Sequence, residues 1–261
     1  MIKKIVKKIV NIFGFDIRRA ESHDRKTVDG VLRHIASIWR PDIIIDVGAA
    51  YGSFVHLSQD IFPNASFVTV EPLYEYERAL AKLPRVIHKI FAAAGSSKQE
   101  KTIYVHQDLV GSSTKQEVDG EKVDGIKRIV LVTTVDSIVE EFDLKGKILL
   151  KVDVQGAELD VLEGALHSFG RIDCVVLEVS FFRSMIDGAD IYDIITYMKD
   201  QGFVLYDIAS CLYRPYDGAL SQCDAVFVKE HGLFREYQGF ATEEQREKQN
   251  EQFHKKLTDV L

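Results

Sequence analysis

The sequence predicts an α/β fold: a doubly wound, mostly parallel sheet of seven strands that ends in a C-terminal antiparallel hairpin. Short apolar runs without polar alternation, such as Ile43–Ile45, are typical of strands buried on both faces of a parallel sheet. Amphipathic helical segments alternate with these runs along the chain, as in doubly wound proteins. The last two runs, 203–208 and 225–228, are joined by a short segment containing Pro215, and a connection without a helix predicts an antiparallel pair.

Length, composition and charge describe a soluble globular protein and exclude several classes. The chain has 261 residues, of which 46% are hydrophobic and 28% charged, and its formal net charge is -7. This acidic balance argues against a nucleic-acid partner, because phosphate neutralisation needs a basic face. The cysteines Cys174, Cys211 and Cys223 are too few and too irregularly spaced for a disulfide framework or a zinc site. We therefore expect a reducing, cytoplasmic location.

Residues 1–20 show the pattern of a basic amphipathic helix. Isoleucine and valine recur at helical spacing, and Lys3, Lys4, Lys7 and Lys8 fill the opposite face. No apolar stretch here is long enough to span a bilayer, and the lysines interrupt any signal-peptide core. Two interpretations stay open. The helix packs on the outside of the domain, or it makes peripheral contact with the inner surface of an anionic membrane.

The chain divides into three predicted regions. A second helix is expected from 25 to 39, where Pro41 prevents its continuation. Residues 1–40 therefore form an N-terminal helical extension, residues 41–230 the main domain, and residues 231–261 a polar, helix-prone C-terminal tail.

Strands and helices alternate through the main domain. Prolines at 63 and 84 close two of the helices. The predicted strands are 43–46, 66–70, 86–91, 103–106, 129–132, 147–152, 174–179, 203–208 and 225–228. The predicted helices are 53–62, 74–83, Thr134 or Asp136 to Phe142, one with Leu159, Leu162, Leu166 and Phe169 on a single face, and 191–198. Residues 92–96 are predicted to form a turn.

A polar segment with several glycines separates the short β runs at 103–106 and 129–132. It predicts a loop inserted between two paired strands. Long loops beside a binding site often recognise the substrate, and the alternative is a disordered surface excursion.

The first strand ends at Asp46 and enters a turn punctuated by Gly48 and Gly52. Glycines let the backbone bend sharply and approach a ligand closely. The dinucleotide fingerprint G-x-G-x-x-G fails here, because Ala50 and Ser53 occupy two of its glycine positions. An acidic residue followed by spaced glycines instead matches the first motif of S-adenosylmethionine (SAM) dependent methyltransferases, and the Asp46 carboxylate suits the cationic groups of SAM. NAD and a ligand-free structural turn are the alternatives.

Three further acidic residues lie at the carboxyl ends of predicted strands, and a fourth lies in the first turn of a predicted helix. Glu71 lies about 20 residues beyond the glycine turn, where nucleotide-binding α/β folds place the acid that holds ribose hydroxyls. Asp153 and Glu178 also lie at carboxyl ends of strands, which is the edge where open α/β sheets bind ligands. Glu158 has a plainer explanation, since a carboxylate in the first turn of a helix opposes the macrodipole.

Three segments together resemble the FkbM family of SAM-dependent methyltransferases. They are Asp46-Val47-Gly48-Ala49-Ala50-Tyr51-Gly52, Leu149-Leu150-Lys151-Val152-Asp153-Val154-Gln155-Gly156-Ala157-Glu158 and Leu177-Glu178-Val179-Ser180-Phe181. Gly111-Ser112-Ser113 and Thr134-Val135-Asp136-Ser137 are similar to that family's pattern as well. The resemblance covers roughly residues 40–230, and Ala50 stands where family members often have Asn.

The resemblance implies a class I, Rossmann-like methyltransferase fold with SAM as cofactor. It also implies O-methylation of a hydroxyl, commonly on a sugar or a secondary metabolite. The expected cofactor-binding residues are Asp46, Gly48, Ala49, Ala50, Tyr51, Gly52, Glu71 and Ala94.

Methyl transfer chiefly requires that the acceptor oxygen be aligned and its proton removed. Asp153 is the first candidate base, and with Glu178 it is an alternative ligand pair for a divalent cation. His106 is a second candidate base, for which a satisfied surface histidine is the alternative. The expected partner is a small-molecule or glycan hydroxyl acceptor. The alternative functions are an NAD(P)-dependent oxidoreductase and a non-catalytic module that binds SAM or a glycan.

Overall fold

The computed structural model describes residues 24–258, and the strands in this part of the chain form two sheets. The strands are β1 (Ile43–Val47), β2 (Ser66–Val70), β3 (Val86–Ile90), β4 (Ala93–Ala94), β5 (Gln99–Val105), β6 (Ile126–Thr133), β7 (Ile148–Val152), β8 (Ile172–Ser180), β9 (Phe203–Tyr213) and β10 (Leu220–Lys229).

The helices are α1 (Val28–Ile38), α2 (Ser53–Ser58), α3 (Glu77–Leu80), α4 (Glu121–Asp124), α5 (Val135–Glu141), α6 (Glu158–Glu163), α7 (Ile191–Asp200) and α8 (Glu243–Thr258). Two 3₁₀ turns, Tyr74–Tyr76 and Leu233–Arg235, complete the regular structure of the described residues.

The main sheet has seven strands in the order β3-β2-β1-β7-β8-β10-β9. The pairs from β3 to β8 are parallel, and β10 runs antiparallel to both β8 and β9. The predicted fold class, including the terminal antiparallel hairpin, is confirmed. Strand order reverses between β1 and β7, so the crevice at their carboxyl ends is the place where such sheets bind ligands.

Strand β1 is buried on both faces, as its apolar run predicts. Ile43, Ile45 and Val47 join one apolar cluster, together with residues of α5, α6 and α7. Ile44 joins the second cluster on the other face, with residues of α1, α2 and α3. Each fully buried aliphatic side chain contributes about 1.5–3 kcal/mol to folding, so helices on both faces hold β1 firmly in place.

A small second sheet has the order β4-β6-β5. The predicted pairing of the two short β runs is confirmed, because β5 and β6 are antiparallel along their whole length. The prediction of a turn at 92–96 was wrong in part. Ala93 and Ala94 form a short strand that pairs in parallel with Val132 and Thr133, a distant partner that no local pattern reveals.

Helices differ from their predictions mainly in length. The helix expected at 53–62 ends at Ser58, and the one expected at 74–83 is a 3₁₀ turn followed by α3. Thr134 is the N-cap of α5, where its Oγ1 accepts a hydrogen bond from the Ser137 N–H. The predicted apolar face 159–169 was wrong at Leu166, which is exposed because α6 ends at Glu163.

The basic segment at 1–20 lies outside the described residues, so its packing or membrane contact stays a prediction. The three-region division also stays a prediction. Within residues 24–258, the helices are too short or too polar to cross a bilayer.

Candidate active site

A cavity opens at the carboxyl ends of β1 and β7, between the glycine turn and the turn that follows β7. It encloses about 830 Å³ when counted to its open mouth. One wall comes from the glycine turn, Glu71 and residues 92–94, and the other from Lys151, Asp153 and Gln155. The predicted cofactor residues Gly48, Ala50, Tyr51, Glu71 and Ala94 all line it. Asp46, Ala49 and Gly52 lie outside this lining.

The backbone of the glycine turn contacts the backbone of the second turn, which lies between β7 and α6. Gly48 has a φ of +75°, and a Cβ built on it would overlap the carbonyl oxygen of Asp153. Gly52 has a φ of +89°, and its missing Cβ makes room for the Leu83 side chain. Ala50 also adopts a left-handed conformation, with a φ of +46°. The chain therefore needs glycine at 48 for packing as well as for any approach of a ligand.

Glu71 directly follows β2, and its side chain stabilises the glycine turn by accepting backbone hydrogen bonds. Its Oε2 accepts a hydrogen bond from the Ala50 N–H at 2.9 Å, and its Oε1 accepts one from the Leu73 N–H at 2.8 Å. Burial raises the pKa of Glu71 to about 7, although these two hydrogen bonds oppose the rise. Each carboxylate oxygen keeps a second lone pair, so the group can still accept from hydroxyls in the cavity.

Lys151 links the two predicted acidic positions Asp46 and Asp153. Its Nζ lies 3.4 Å from Asp46 Oδ1 and 3.3 Å from Asp153 Oδ2, and it donates to the Gly48 carbonyl at 3.2 Å. Asp46 is completely buried, and within the described residues neither of its oxygens accepts a hydrogen bond. Burial alone lowers the pKa of Lys151, but Asp46 and Asp153 outweigh it and the pKa is raised. Lys151 therefore stays charged and compensates the buried carboxylate.

The second turn, between β7 and α6, is braced by Glu158. Its Oε1 accepts hydrogen bonds from the N–H groups of Val154 and Gly156, both at 3.1 Å. Burial raises the pKa of Glu158 to about 7. The side chain thus holds the turn together, a role more specific than the macrodipole effect that the sequence suggested.

Glu178 lies beside Asp153, and the two are joined through Gln155. The Gln155 Nε2 donates to Asp153 Oδ1 and to Glu178 Oε2, both at 2.8 Å. Burial and then the neighbouring Asp153 carboxylate raise the pKa of Glu178 to about 8. The structure therefore brings two of the three predicted catalytic residues together.

His106 lies apart from the cavity. It lines a separate, shallow depression with Asp108 and Glu117, and its Nε2 is 3.4 Å from Glu117 Oε1. This position fits the alternative of a satisfied surface histidine.

The inserted loop covers part of the cavity, and a hydrogen bond from Ser113 holds the loop in that position. Ser113 is buried, and its Oγ donates to the Gln155 carbonyl at 2.7 Å. Leu109, Val110 and residues 112–114 line the cavity from this side. The loop is therefore placed where substrate recognition would need it.

Sequence reasoning assigned no role to Lys151, Gln155 or Ser113. Lys151 was detectable, because a lysine inside the apolar run Ile148–Val152 must find a buried charge partner. The contacts of Gln155 and Ser113 depend on long-range packing and leave no local signal.

No group of three or more His, Cys, Asp or Glu residues within 24–258 has a geometry that could hold a metal ion. The suggestion that Asp153 and Glu178 ligate a cation therefore gains no support from the described residues.

A family model for the methyltransferase FkbM domain matches residues 46–205. The matched segment is more than half of the chain, and it contains the glycine turn, the turn between β7 and α6, and the inserted loop. Among curated proteins, no relative matched significantly.

Several solved structures resemble the chain. One is an uncharacterized protein from Listeria monocytogenes serotype 4b, with 9% identity over 77% of this chain and 68% of that chain and a TM-score of 0.44. Another is a magnesium protoporphyrin IX methyltransferase from Synechocystis PCC 6803 with bound SAM, with 13% identity over 87% and 96% and a TM-score of 0.42. A third is a putative tRNA methyltransferase from Streptococcus pneumoniae in complex with SAM, with 14% identity over 76% and 72% and a TM-score of 0.42.

Proposed function

Because the chain belongs to the FkbM methyltransferase family, it uses SAM as methyl donor, and we propose that it methylates a hydroxyl oxygen of an uncharged acceptor. The acceptor class is a sugar, a glycan or a secondary metabolite. Family membership confirms the resemblance found in the sequence and sets the oxidoreductase alternative aside. A module that binds SAM without turnover remains the competing proposal.

The cavity residues fit SAM. Gly48 lines the cavity with its backbone, Glu71 has lone pairs free for ribose hydroxyls, and Ala92–Ala94 offer an apolar surface for an adenine ring. When bound, SAM supplies a methyl group already activated by its sulfonium. Asp46 is behind Lys151, so we assign it the task of fixing the Lys151 ammonium rather than touching the cofactor.

One observation carries the proposed chemistry: Asp153 lines the cavity on the wall opposite Glu71. Its carboxylate is positioned by Lys151 and Gln155, and it can accept the proton of an acceptor hydroxyl placed between the walls. In this reaction the acceptor oxygen would bond to the methyl carbon as the bond from that carbon to the sulfonium sulfur breaks, leaving S-adenosylhomocysteine. The acceptor O–H bond breaks, and the proton goes to Asp153 and then to solvent. Alignment of the acceptor by the cavity walls supplies the rest of the rate enhancement.

The charges around Asp153 support an uncharged acceptor. Glu158, Glu178 and Asp224 all interact electrostatically with Asp153, and Lys151 is the cation that faces it most closely. The proposed chemistry needs Asp153 as a carboxylate, and a carboxylate beside the acceptor repels phosphate. A nucleic acid or another phosphorylated acceptor is therefore disfavoured, whereas a hydroxyl finds a hydrogen-bond acceptor there.

The full chain with methyl-labelled SAM tests this function. It would be incubated with neutral glycosides, phenols and RNA, and label transfer would be measured beside calorimetry with SAM and S-adenosylhomocysteine. We expect SAM binding and label on a hydroxyl of a neutral compound. Label found only on RNA would overturn the acceptor assignment, and SAM binding without transfer to any compound would support the binding module.

A further inference from the structure

Gln155 lies between the two acidic residues that the proposed chemistry brings together. Its Nε2 is 2.8 Å from Asp153 Oδ1 and 2.8 Å from Glu178 Oε2. The amide nitrogen carries two hydrogens, and in this orientation it donates one to each carboxyl group. A single planar group therefore fixes the distance and orientation between Asp153 and Glu178.

The backbone of Gln155 is fixed as well. It adopts a left-handed conformation with a φ of +56°, and Gly156 follows with a φ of +95°. Its carbonyl accepts the hydrogen bond from Ser113 Oγ, which comes from the loop over the cavity. Non-glycine residues with positive φ are uncommon and persist when the surrounding contacts hold them there.

We infer that Gln155 is the positioning residue of this site: its amide holds Asp153 and Glu178 as one coupled acid pair, and its carbonyl ties that pair to the loop. The inference rests on the proposed function in one respect, because it assumes that Asp153 takes the acceptor proton. The coupling of the two acids can be measured without any acceptor.

Charged and titratable groups surround the pair on every packed element. They are Asp46 on β1, Lys151 on β7, Glu158 on α6, and Cys223 and Asp224 on β10. With its pKa near 8, Glu178 keeps its proton at neutral pH, so the pair holds a proton beside the acceptor position. The fixed geometry sets how strongly Asp153 acts on the pKa of Glu178.

The test is a double-mutant cycle read by NMR of the Glu178 side-chain carboxyl carbon, assigned through Glu178→Gln, in the full chain. Asp153→Asn removes a neighbouring negative charge, so it should lower the Glu178 titration midpoint by about one pH unit. In a Gln155→Met background the same change should have less than about half that effect, because the carboxyl groups can separate. Met is unbranched and close to Gln in size, so the backbone cost at 155 is similar.

Gln222→Met is the matched control. Gln222 Nε2 also donates to Glu178 Oε2, at 3.2 Å, whereas the side-chain hydrogen bonds to Asp153 within residues 24–258 come from Lys151 and Gln155. The effect of Asp153→Asn should remain in full in that background. Gln155→Asn is the second variant if Gln155→Met does not fold, since Asn tolerates positive φ and its shorter amide cannot bridge both acids.

An unchanged effect of Asp153→Asn in both Gln155 backgrounds would overturn the inference. Calorimetry with SAM on the same proteins separates this result from a failure of the proposed function. If the wild-type chain binds SAM and the Asp153→Asn effect does not depend on Gln155, only the role of Gln155 is wrong. If that effect depends on Gln155 and no hydroxyl acceptor is methylated, the proposed function is wrong.

Discussion

Ala50 occupies a backbone conformation that glycine adopts more easily. Its φ is +46°, and its N–H donates to Glu71. A left-handed conformation costs an L-residue roughly 1–2 kcal/mol, and a glycine at this position would avoid that cost. Glycine also has more conformational freedom in the unfolded chain, which offsets about 0.5–1 kcal/mol of the benefit. Ala50→Gly should therefore stabilise the protein by about 0.5–1 kcal/mol in denaturant unfolding.

The neighbouring Ala49 provides the control for this substitution. It is buried and does not have a positive φ, so Ala49→Gly should destabilise the protein. If both changes destabilised it equally, the conformation at Ala50 would not be a source of strain.

Asp153 is the residue on which the proposed chemistry depends. General-base contributions are typically about 10²–10⁴-fold, so Asp153→Asn should lower kcat by about that factor while SAM affinity changes little. Asp173→Asn is the control, since Asp173 pairs with Lys229 away from the cavity. Turnover that survives in Asp153→Asn and collapses in His106→Ala would show that the base is His106.

The charged residues of the site were only partly predictable from the sequence. Asp46 and Asp153 were predicted because each directly follows or ends an apolar run at the ligand-binding edge. The cross-strand neighbour of Asp46 is Lys151, and that register depends on how β1 and β7 align. The sequence shows that both strands exist, but the alignment follows from packing over the whole sheet.

At the scale of elements, the contact between the two turns is the feature most sensitive to change. Gly48→Ala places a methyl group against the Asp153 carbonyl, so it should destabilise the protein by several kcal/mol, at about the level of severe backbone clashes. Thermal unfolding measures this. We also expect loss of SAM binding in any folded fraction, because the turn that forms the cavity wall must move.

Gly218→Ala is the matched control for Gly48→Ala. Gly218 has a φ of +74°, similar to that of Gly48, but a Cβ there meets open space. It should cost only the conformational term of about 1–2 kcal/mol. If Gly48→Ala and Gly218→Ala lowered the stability equally, the contact between the two turns would contribute nothing to the stability of the fold.

The predicted limits of strands and helices were of uneven accuracy. The limits of β2 agree with the predicted 66–70, whereas β9 and β10 extend several residues beyond the predicted 203–208 and 225–228. The antiparallel pairing of β9 with β10 continues past their apolar runs. Helices α2 and α6 are shorter than their apolar patterns, since tertiary contacts decide where each ends. Strand β4 was missed because its two residues are defined by their pairing with β6.

At the scale of the whole molecule, the titration of three buried carboxyl groups makes the free energy of unfolding depend on pH. Burial is the main cause that raises the pKa of Glu71 and Glu158 from 4.5 to about 7 and that of Glu178 to about 8. Each group binds its proton more tightly in the folded chain, so its stabilising contribution is complete below pH 4.5 and is lost as pH rises to about 7–8. Unfolding free energy without SAM should fall by a few kcal/mol between about pH 4.5 and 8.

Glu158→Gln is the informative variant for this pH dependence. Its amide oxygen can still accept the N–H groups of Val154 and Gly156, but it no longer titrates. Denaturant unfolding across the pH range should show a flatter profile than that of the wild-type chain. A profile as steep as the wild type would assign the dependence to other groups.

The position of β10 has a consequence for how the chain is synthesised. Of the strands in residues 24–258, this one leaves the ribosome last, yet it lies inside the sheet, and β9 pairs with the other strands of that sheet only through it. During synthesis, the eleven-residue β9 therefore has no strand to pair with until residues 220–229 emerge. A premature stop before Leu220 would leave β8 and β9 with unpaired edges that can join other chains, rather than a sheet that is merely shorter.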